Sequence, residues 1–224
     1  MDIKIDRAEA LRYLGYRDQR IDGITDNLIE ESIIEVKNNI NTKSIYKEFE
    51  INVLEDKVIF KDSEFQLKGN SIVEHLKDSQ ACILLALTLG HSIDRLIRYY
   101  EKINMAKTII IDACASATIE GFAENICEDL AKEYKERGKN LTSRFSPGYG
   151  DLNIGIQGDF LNLLDASRSI GITATSHNIL IPRKSITAIV GVGNNKVDND
   201  ELRCKSCNKY PDCNFVKRGK EDGN

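Results

Sequence analysis

ACILLALTL, Ala81 to Leu89, is an apolar run of strand length closed by Gly90. Hydrophobicity that runs on instead of alternating marks a strand buried on both faces, at the centre of a sheet. The rest of the chain is read outward from it. Ile93 to Ile103 has helical spacing, and a long helix follows over about Ala106 to Arg137, with Gly138 as its stop. Upstream, Phe49 to Leu67 reads as a hairpin. Phe49, Ile51 and Val53 alternate with Glu50 and Asn52, a turn falls near Glu55-Asp56-Lys57, and Val58-Ile59-Phe60 resumes. Ser71 to Leu76 reads as a short helix.

The chain opens with two helical patterns. Ala8 to Tyr13 ends at Gly15, and Thr25 to Ile40 carries Leu28, Ile29, Ile33, Val36 and Ile40 on one stripe, with Thr25 or Asp26 as its cap. Beyond the long helix, strands are expected at Ile170 to Thr175 and at Ser185 to Val192. Helices and strands are mixed without strict alternation. The expected class is therefore α+β, a mixed or antiparallel twisted sheet flanked by helices. From Asn194 the composition turns polar, charged and cysteine-bearing. The expected organisation is one domain over residues 1–193 and a loosely packed tail over 194–224.

Bulk properties narrow the function. The net charge of −4 lacks the basic excess of a duplex-binding protein. No stretch approaches the roughly eighteen apolar residues that a membrane span requires. The N-terminus, MDIKIDRAEALRYLGY, is charged and periodic and has no apolar signal core, so a cytoplasmic protein without nucleic-acid or membrane partners is expected. Six cysteines are too few for a disulfide scaffold in a chain this long, and they are expected as thiols.

Candidate chemistry centres on RFSPGYG, Arg144 to Gly150. Arg144 offers a rigid fork of donors suited to a carboxylate or phosphate. Pro147 fixes its own φ and extends Ser146, Gly148 permits a turn or a close approach, and Tyr149 adds an aromatic face with a polar tip. Alone, this heptapeptide reads as a helix-to-strand connection. On the long helix, Asp112, Ser116, Glu120 and Glu124 recur every fourth residue and form one stripe, flanked by the small residues Ala113, Ala117 and Gly121. Such a stripe can receive a cation or a set of hydroxyls beside a close-approach groove, although alone it reads as a solvated face.

Other signals carry less. His75, His91 and His177 share no metal spacing, and neither a P-loop nor a GxSxG elbow occurs. Gly191-Val192-Gly193 is too short for a dinucleotide fingerprint and reads as a strand-end glycine pair. Cys82, Cys114 and Cys127 sit in apolar or helical contexts, as buried thiols do. In the tail, Cys204, Cys207 and Cys213 form CxxCx5C, three thiolates able to grip zinc or an iron–sulfur group, with no histidine nearby as a fourth ligand.

With these residues in view, the chain resembles the activation domain of cobalamin-dependent methionine synthase, and more closely the stand-alone bacterial proteins of that family. RFSPGYGDLNIGIQ, Arg144 to Gln157, contains the family's RxxxGY element as Arg144, Gly148 and Tyr149. IGITATSHNILIPRKSITAIVGVG, Ile170 to Gly193, resembles its strand, Pro-x-x-Ser turn and returning strand, with Pro182 and Ser185 at the turn. DACASATIEGFAENIC, Asp112 to Cys127, is similar to its helix carrying a glutamate towards the cofactor, matched by Glu120. LRYLGYR and LLALTLG also fit the stand-alone members. After Tyr149 this chain has Gly-Asp-Leu-Asn where methionine synthase has Pro-x-Cys-Pro-x-His, and it lacks the cobalamin signature Asp-x-His-x-x-Gly.

The resemblance implies an S-adenosylmethionine-binding protein that supports reductive methylation of a cobalamin carried by a partner. That partner is a methionine synthase lacking its own activation domain or another corrinoid methyltransferase, with flavodoxin or a similar protein as electron donor. The cofactors do the bond chemistry and the protein supplies placement, as an accessory component and not a complete enzyme. By the same resemblance, Arg144 clamps the methionyl carboxylate, Pro147, Gly148 and Tyr149 line the adenosine, and Glu120 meets the ammonium or ribose hydroxyls, with Asp112 one stripe away. The alternative expectation is a non-catalytic docking protein for a corrinoid protein with a metal- or redox-binding tail. A conventional S-adenosylmethionine methyltransferase ranks third, because no glycine-rich strand-to-helix loop is present.

Overall fold

A computed structural model describes residues 5–17 and 19–194 of the chain. Tail residues Cys204, Cys207 and Cys213 lie outside this range. The run at Ala81–Leu89 forms most of strand β4 (Ser79–Thr88), in which every residue from Ala81 to Thr88 is buried. It sits between β1 (Lys43–Val53) and β8 (Ser185–Gly193) in a six-stranded antiparallel sheet of order β3-β2-β1-β4-β8-β5. The remaining strands of that sheet are β2 (Lys57–Phe60), β3 (Gln66–Lys68) and β5 (Asn140–Leu141). Successive side chains of β4 point to opposite faces, so both faces need a cover.

Leu85, Leu87 and Leu89 pack against α1 (Arg7–Tyr13), α2 (Gly23–Asn39), α4 (His91–Tyr100) and α5 (Met105–Glu136), through Ala10, Ile29, Val36, Ile93, Ile111 and Phe122. Leu84 and Ala86 face the other layer: α3 (Asn70–Leu76), α6 (Gln157–Leu163) and α7 (Ala166–Ile170). This is the α+β architecture of an antiparallel sheet flanked by helices. Among the described residues no helix is long and apolar enough to cross a membrane.

Several local expectations are corrected. The second helix starts at Gly23, and its cap is Asp22 in place of Thr25 or Asp26. The Asp22 carboxylate accepts the N–H groups of Ile24 and Thr25, each at 3.0 Å. Asp26 instead pairs with Arg7. Strand β1 begins six residues before Phe49, because Lys43 to Glu50 pair with β4 in register Lys43↔Thr88 to Glu50↔Ala81. Ile45 and Tyr46 there are adjacent and not alternating, so periodicity is silent. At Ile51 the strand changes partner to β2, and the expected hairpin is a three-stranded meander. The strand expected over Ile170–Thr175 is reduced to β6 (Thr173–Ala174), paired with β7 (Leu180–Ile181) in a separate ribbon. Ile170 closes α7 instead, and Gly171 caps it at φ +76°.

The glycines at the end of β8 permit close packing. A Cβ on Gly191 would lie 2.8 Å from side-chain carbons of both Leu76 and Thr142, and would collide with Ser79. Its N–H donates to Thr142 Oγ1 at 2.7 Å. In the layer of α2, α4 and α5, Lys107 is a buried tie between helices. Its Nζ lies 2.6 Å from Glu35 and 3.4 Å from Glu31, and 4.8 Å above the Tyr100 ring. The Tyr100 hydroxyl donates to the same Glu35 at 2.9 Å.

Two stability outcomes follow from these contacts. Gly191→Ala overpacks the sheet edge and lowers unfolding free energy by about 1–3 kcal/mol; a urea midpoint equal to wild type would contradict the close packing. Lys107→Ala strands Glu35 beside Tyr100 and costs about 2 kcal/mol, read as a lowered urea midpoint at unchanged slope.

Candidate functional site

The middle of helix α5 is nearly enclosed. From Ile110 to Glu120 only Asp112, Ser116 and Glu120 escape burial. They lie on one stripe, so the helix presents a narrow polar slot instead of a broad solvated face. Ala113 and Ala117 beside them are buried in the core. Gly121, expected to admit a close neighbour, has nothing near its Cβ position, and Glu124 is exposed.

Two basic side chains reach this slot from separate segments. Lys184 Nζ lies 2.9 Å from Asp112 Oδ1 and donates to Ser116 Oγ at 2.8 Å. Ser116 Oγ in turn donates to the Asp112 carbonyl at 3.0 Å. Lys184 belongs to the turn that enters β8, which contains the cis Ile181–Pro182 peptide. That turn is pinned three times. Arg183 N–H donates to Asp94 Oδ2 at 2.9 Å, Ser185 Oγ donates to the Pro182 carbonyl at 2.7 Å, and the Lys184 carbonyl accepts the Leu89 N–H at 3.0 Å. Pro182 and Ser185 were visible in the sequence as turn residues. Lys184 was missed, although a lysine between them, two residues after a proline, was the available signal.

Arg144 supplies the second charge. Phe145 forms an isolated bridge with Ile189 of β8, with N–H to carbonyl distances of 2.9 and 2.8 Å in the two directions. Neighbouring side chains on extended backbone diverge, so Arg144 turns towards α5 while Phe145 turns the other way. The Phe145 ring packs 5.0 Å from the His75 ring and 6.0 Å from the Tyr149 ring. Arg144 Nη2 donates to Glu120 Oε2 at 3.1 Å; the arginine side chain is 14% exposed and the glutamate 38%. Burial on its own lowers the guanidinium pKa. Glu120, with Cys127 and Glu124 nearby, outweighs that effect and raises it. The guanidinium is thus a fixed cation in partial burial.

The remainder of the loop is a strap. Pro147 is buried, and Gly148 takes φ +93° and donates its N–H to the Leu152 carbonyl at 2.9 Å. Tyr149 projects outward at 54% exposure. Gly150 and Asp151, where the sequence leaves the methionine synthase pattern, have their own task. The Asp151 carboxylate accepts the N–H groups of Asn70 at 2.7 Å and Ser71 at 3.0 Å, tying the loop to the start of α3. These bonds lower the Asp151 pKa, Ser71 contributing most. At the far end of α3, His75 Nε2 meets the Ser143 carbonyl at 3.0 Å. Both ends of α3 therefore hold the segment that presents Arg144.

Of the residues singled out in the sequence, Arg144 and Glu120 come together. Asp112 joins Lys184, one end of the slot away, and Tyr149 stands apart, packed against Phe145 on the side of the loop turned from α5. Burial raises the phenol pKa of Tyr13 on α1, and the charge of Glu120 adds to the rise. The Arg12 guanidinium lies 4.8 Å over the same ring. Burial lifts the Cys114 thiol to about 11 and Cys82 further, so neither is a ready nucleophile. Among the described residues no group of three His, Cys, Asp or Glu side chains is placed to hold a metal ion. A surface depression of about 850 Å³ lies away from this slot, between the ends of β1 and β4, and its lining includes Glu48, Asn52, Lys61 and Lys139.

No family model matches this sequence, and no curated protein matches it. Among solved structures, the chain is similar to the MetH reactivation domain bound to AdoHcy, with a TM-score of 0.61 at 13% identity, over 81% of this chain and 70% of that one. At that identity the likeness is one of fold: the chain has the fold of that reactivation domain.

Proposed function

We propose that this protein binds S-adenosylmethionine at the α5 slot and supports reductive methylation of a cobalamin carried by another protein. The observation that carries the reading is the Arg144–Glu120 pair, a part-buried cation and a half-exposed carboxylate at 3.1 Å on an open slot. An amino-acid zwitterion has the complementary charges in the same arrangement. Its carboxylate takes the arginine fork and its ammonium takes Glu120, so one internal pair is exchanged for two charge-assisted contacts. The Lys184–Asp112 pair lies eight residues, or about 12 Å, along the helix and suits hydroxyl or base atoms at the other end of a nucleoside ligand. The fold shared with a reactivation domain bound to AdoHcy supports the same ligand class.

In this reading the ligand supplies a methyl group from its sulfonium, an external donor such as flavodoxin supplies one electron, and the partner's cobalt receives both. The chain's own residues hold and orient. Its partner is a methionine synthase lacking an activation domain, or another corrinoid methyltransferase, and the chain is a stand-alone counterpart of the activation domain. We assign this role to residues 1–193. The segment 194–224, with Cys204, Cys207 and Cys213, is assigned as an appended zinc- or iron–sulfur-binding tail.

Calorimetric titration with S-adenosylmethionine tests the site. Saturable binding is expected, and Arg144→Ala should weaken it by about tenfold to a hundredfold, the worth of a charged hydrogen bond. Undiminished affinity in Arg144→Ala would remove the carboxylate clamp. Lys184→Met should weaken binding less, by severalfold, because Asp112 and Ser116 remain for the ligand.

A further inference from the structure

Asp94 is a buried carboxylate outside the slot, and its own helix makes little use of it. It stands in the first turn of α4 at 7% exposure. The N-cap there is Gly90, which makes no side-chain bond to the helix. The start of a helix tolerates a carboxylate, yet the carboxylate reaches elsewhere. Asp94 Oδ2 accepts the Arg183 N–H at 2.9 Å across 89 residues of sequence, and the buried Oδ1 has no partner among the described residues. Burying a carboxylate on a single backbone N–H destabilises a fold relative to an apolar side chain of similar size. A residue that breaks this rule is expected to serve a site.

We infer that Asp94 is a positioning residue: through the backbone of the turn it places the Lys184 ammonium on Asp112 and Ser116. The Pro182–Arg183 peptide is gripped at both ends, its carbonyl accepting Ser185 Oγ at 2.7 Å and its N–H donating to Asp94. In the Lys184–Ser185 peptide, the carbonyl accepts the Leu89 N–H at 3.0 Å. The Lys184 Cα therefore lies between two held peptide planes. Ser185 belongs to β8 and Leu89 follows β4, so Asp94 is the contact that ties the turn to the helical layer containing α5. A lysine stem is long and flexible. Its Nζ must meet Asp112 Oδ1 at 2.9 Å and Ser116 Oγ at 2.8 Å on successive turns of α5. Hydrogen bonds tolerate little error in distance, so the origin of the stem has to be fixed. The bearing of Lys184 on ligand binding rests on the function proposed above, whereas its placement by Asp94 does not.

Two measurements on the full-length chain test the inference. In the ligand-free protein, the rate at which acetic anhydride modifies Lys184 is followed by peptide mass spectrometry, with Lys107 as internal reference. The two lysines are similarly covered, at 12% and 10% exposure, but Lys107 is held by Glu35 and Glu31 of α2 and not by the turn. Asp94→Ala should raise the Lys184 rate by about tenfold, the strength of one hydrogen bond to a charged group, and leave Lys107 unchanged. Asp94→Asn keeps an acceptor oxygen for the Arg183 N–H and should retain the slow rate. An unchanged Lys184 rate in Asp94→Ala, or an Asn variant as fast as the Ala variant, overturns the positioning role. Lys184 and Lys107 accelerating together reports general loosening and overturns it as well. The second measurement is calorimetric affinity for S-adenosylmethionine. Asp94→Ala should weaken binding severalfold, as Lys184→Met does. The double variant should match Lys184→Met within about twofold, because no ammonium is left to place. Losses that multiply in the double variant give Asp94 a role independent of Lys184 and overturn the inference. A wild-type protein that does not bind S-adenosylmethionine fails the proposed function alone, and the Lys184 modification rates still decide the placement.

Discussion

Everything in this fold answers to the double-sided burial of β4. Leu84 and Ala86 point into one helical layer, Leu85 and Leu87 into the other, and all four are fully removed from solvent. Each leucine so buried contributes about 1.5–3 kcal/mol relative to exposure, provided a cover exists on its face. The requirement explains why α5 is long and so little exposed, and why α3, α6 and α7, short as they are, occupy the opposite side. It also sets the site. A helix pressed onto a sheet leaves only a narrow margin uncovered, and in the middle of α5, from Ile110 to Glu120, that margin is Asp112, Ser116 and Glu120. The polar residues lie where the core's geometry leaves room for them.

The slot is electrostatically self-satisfied before any ligand arrives. Glu120 offsets the desolvation of Arg144, and Asp112 does the same for Lys184, which is 12% exposed. An unpaired guanidinium in this position would be costly, so the internal pairs keep the site folded and charged when empty. Their partial exposure keeps the exchange with a ligand inexpensive. Under the proposed function, selectivity would depend on offering both charges at once, which a zwitterion does and a simple anion does not. The rigidity of the arginine comes from behind. Asp151 and His75 fasten its loop to the two ends of α3, and the Phe145–Ile189 bridge fastens it to the sheet.

The sequence was legible where a periodicity or a punctuating residue was strong. The unbroken run at Ala81–Leu89, the long helix ended by Gly138 and the strand at Ser185–Val192 all stand close to where they were read. It was misleading where pairing, and not pattern, made the structure. The first half of β1 carries no alternation, and only β4 at its side makes it a strand. Ile170–Thr175 alternates convincingly, yet Gly171 turns the chain at a positive φ and most of the segment is not extended. For the site, Arg144 and Glu120 were recoverable because each belongs to a motif with an orientation. Lys184 reaches the slot by tertiary contact from a distant segment, and no local spacing announces such a meeting.

The register of the sheet also sets an order of events during synthesis. β4 is complete once Thr88 has been made, but its second neighbour is β8, which pairs across Ser79↔Gly193 and Thr88↔Ser185. At about 5–20 residues per second, the most apolar strand of the protein waits for roughly 5–20 seconds with one edge unpaired. In that interval α5 has emerged and can cover one face of β4, while the other face and the open edge await the C-terminal third. The chain is therefore most vulnerable to intermolecular strand pairing while it is being made, and a ribosome-associated chaperone would find its substrate in this segment.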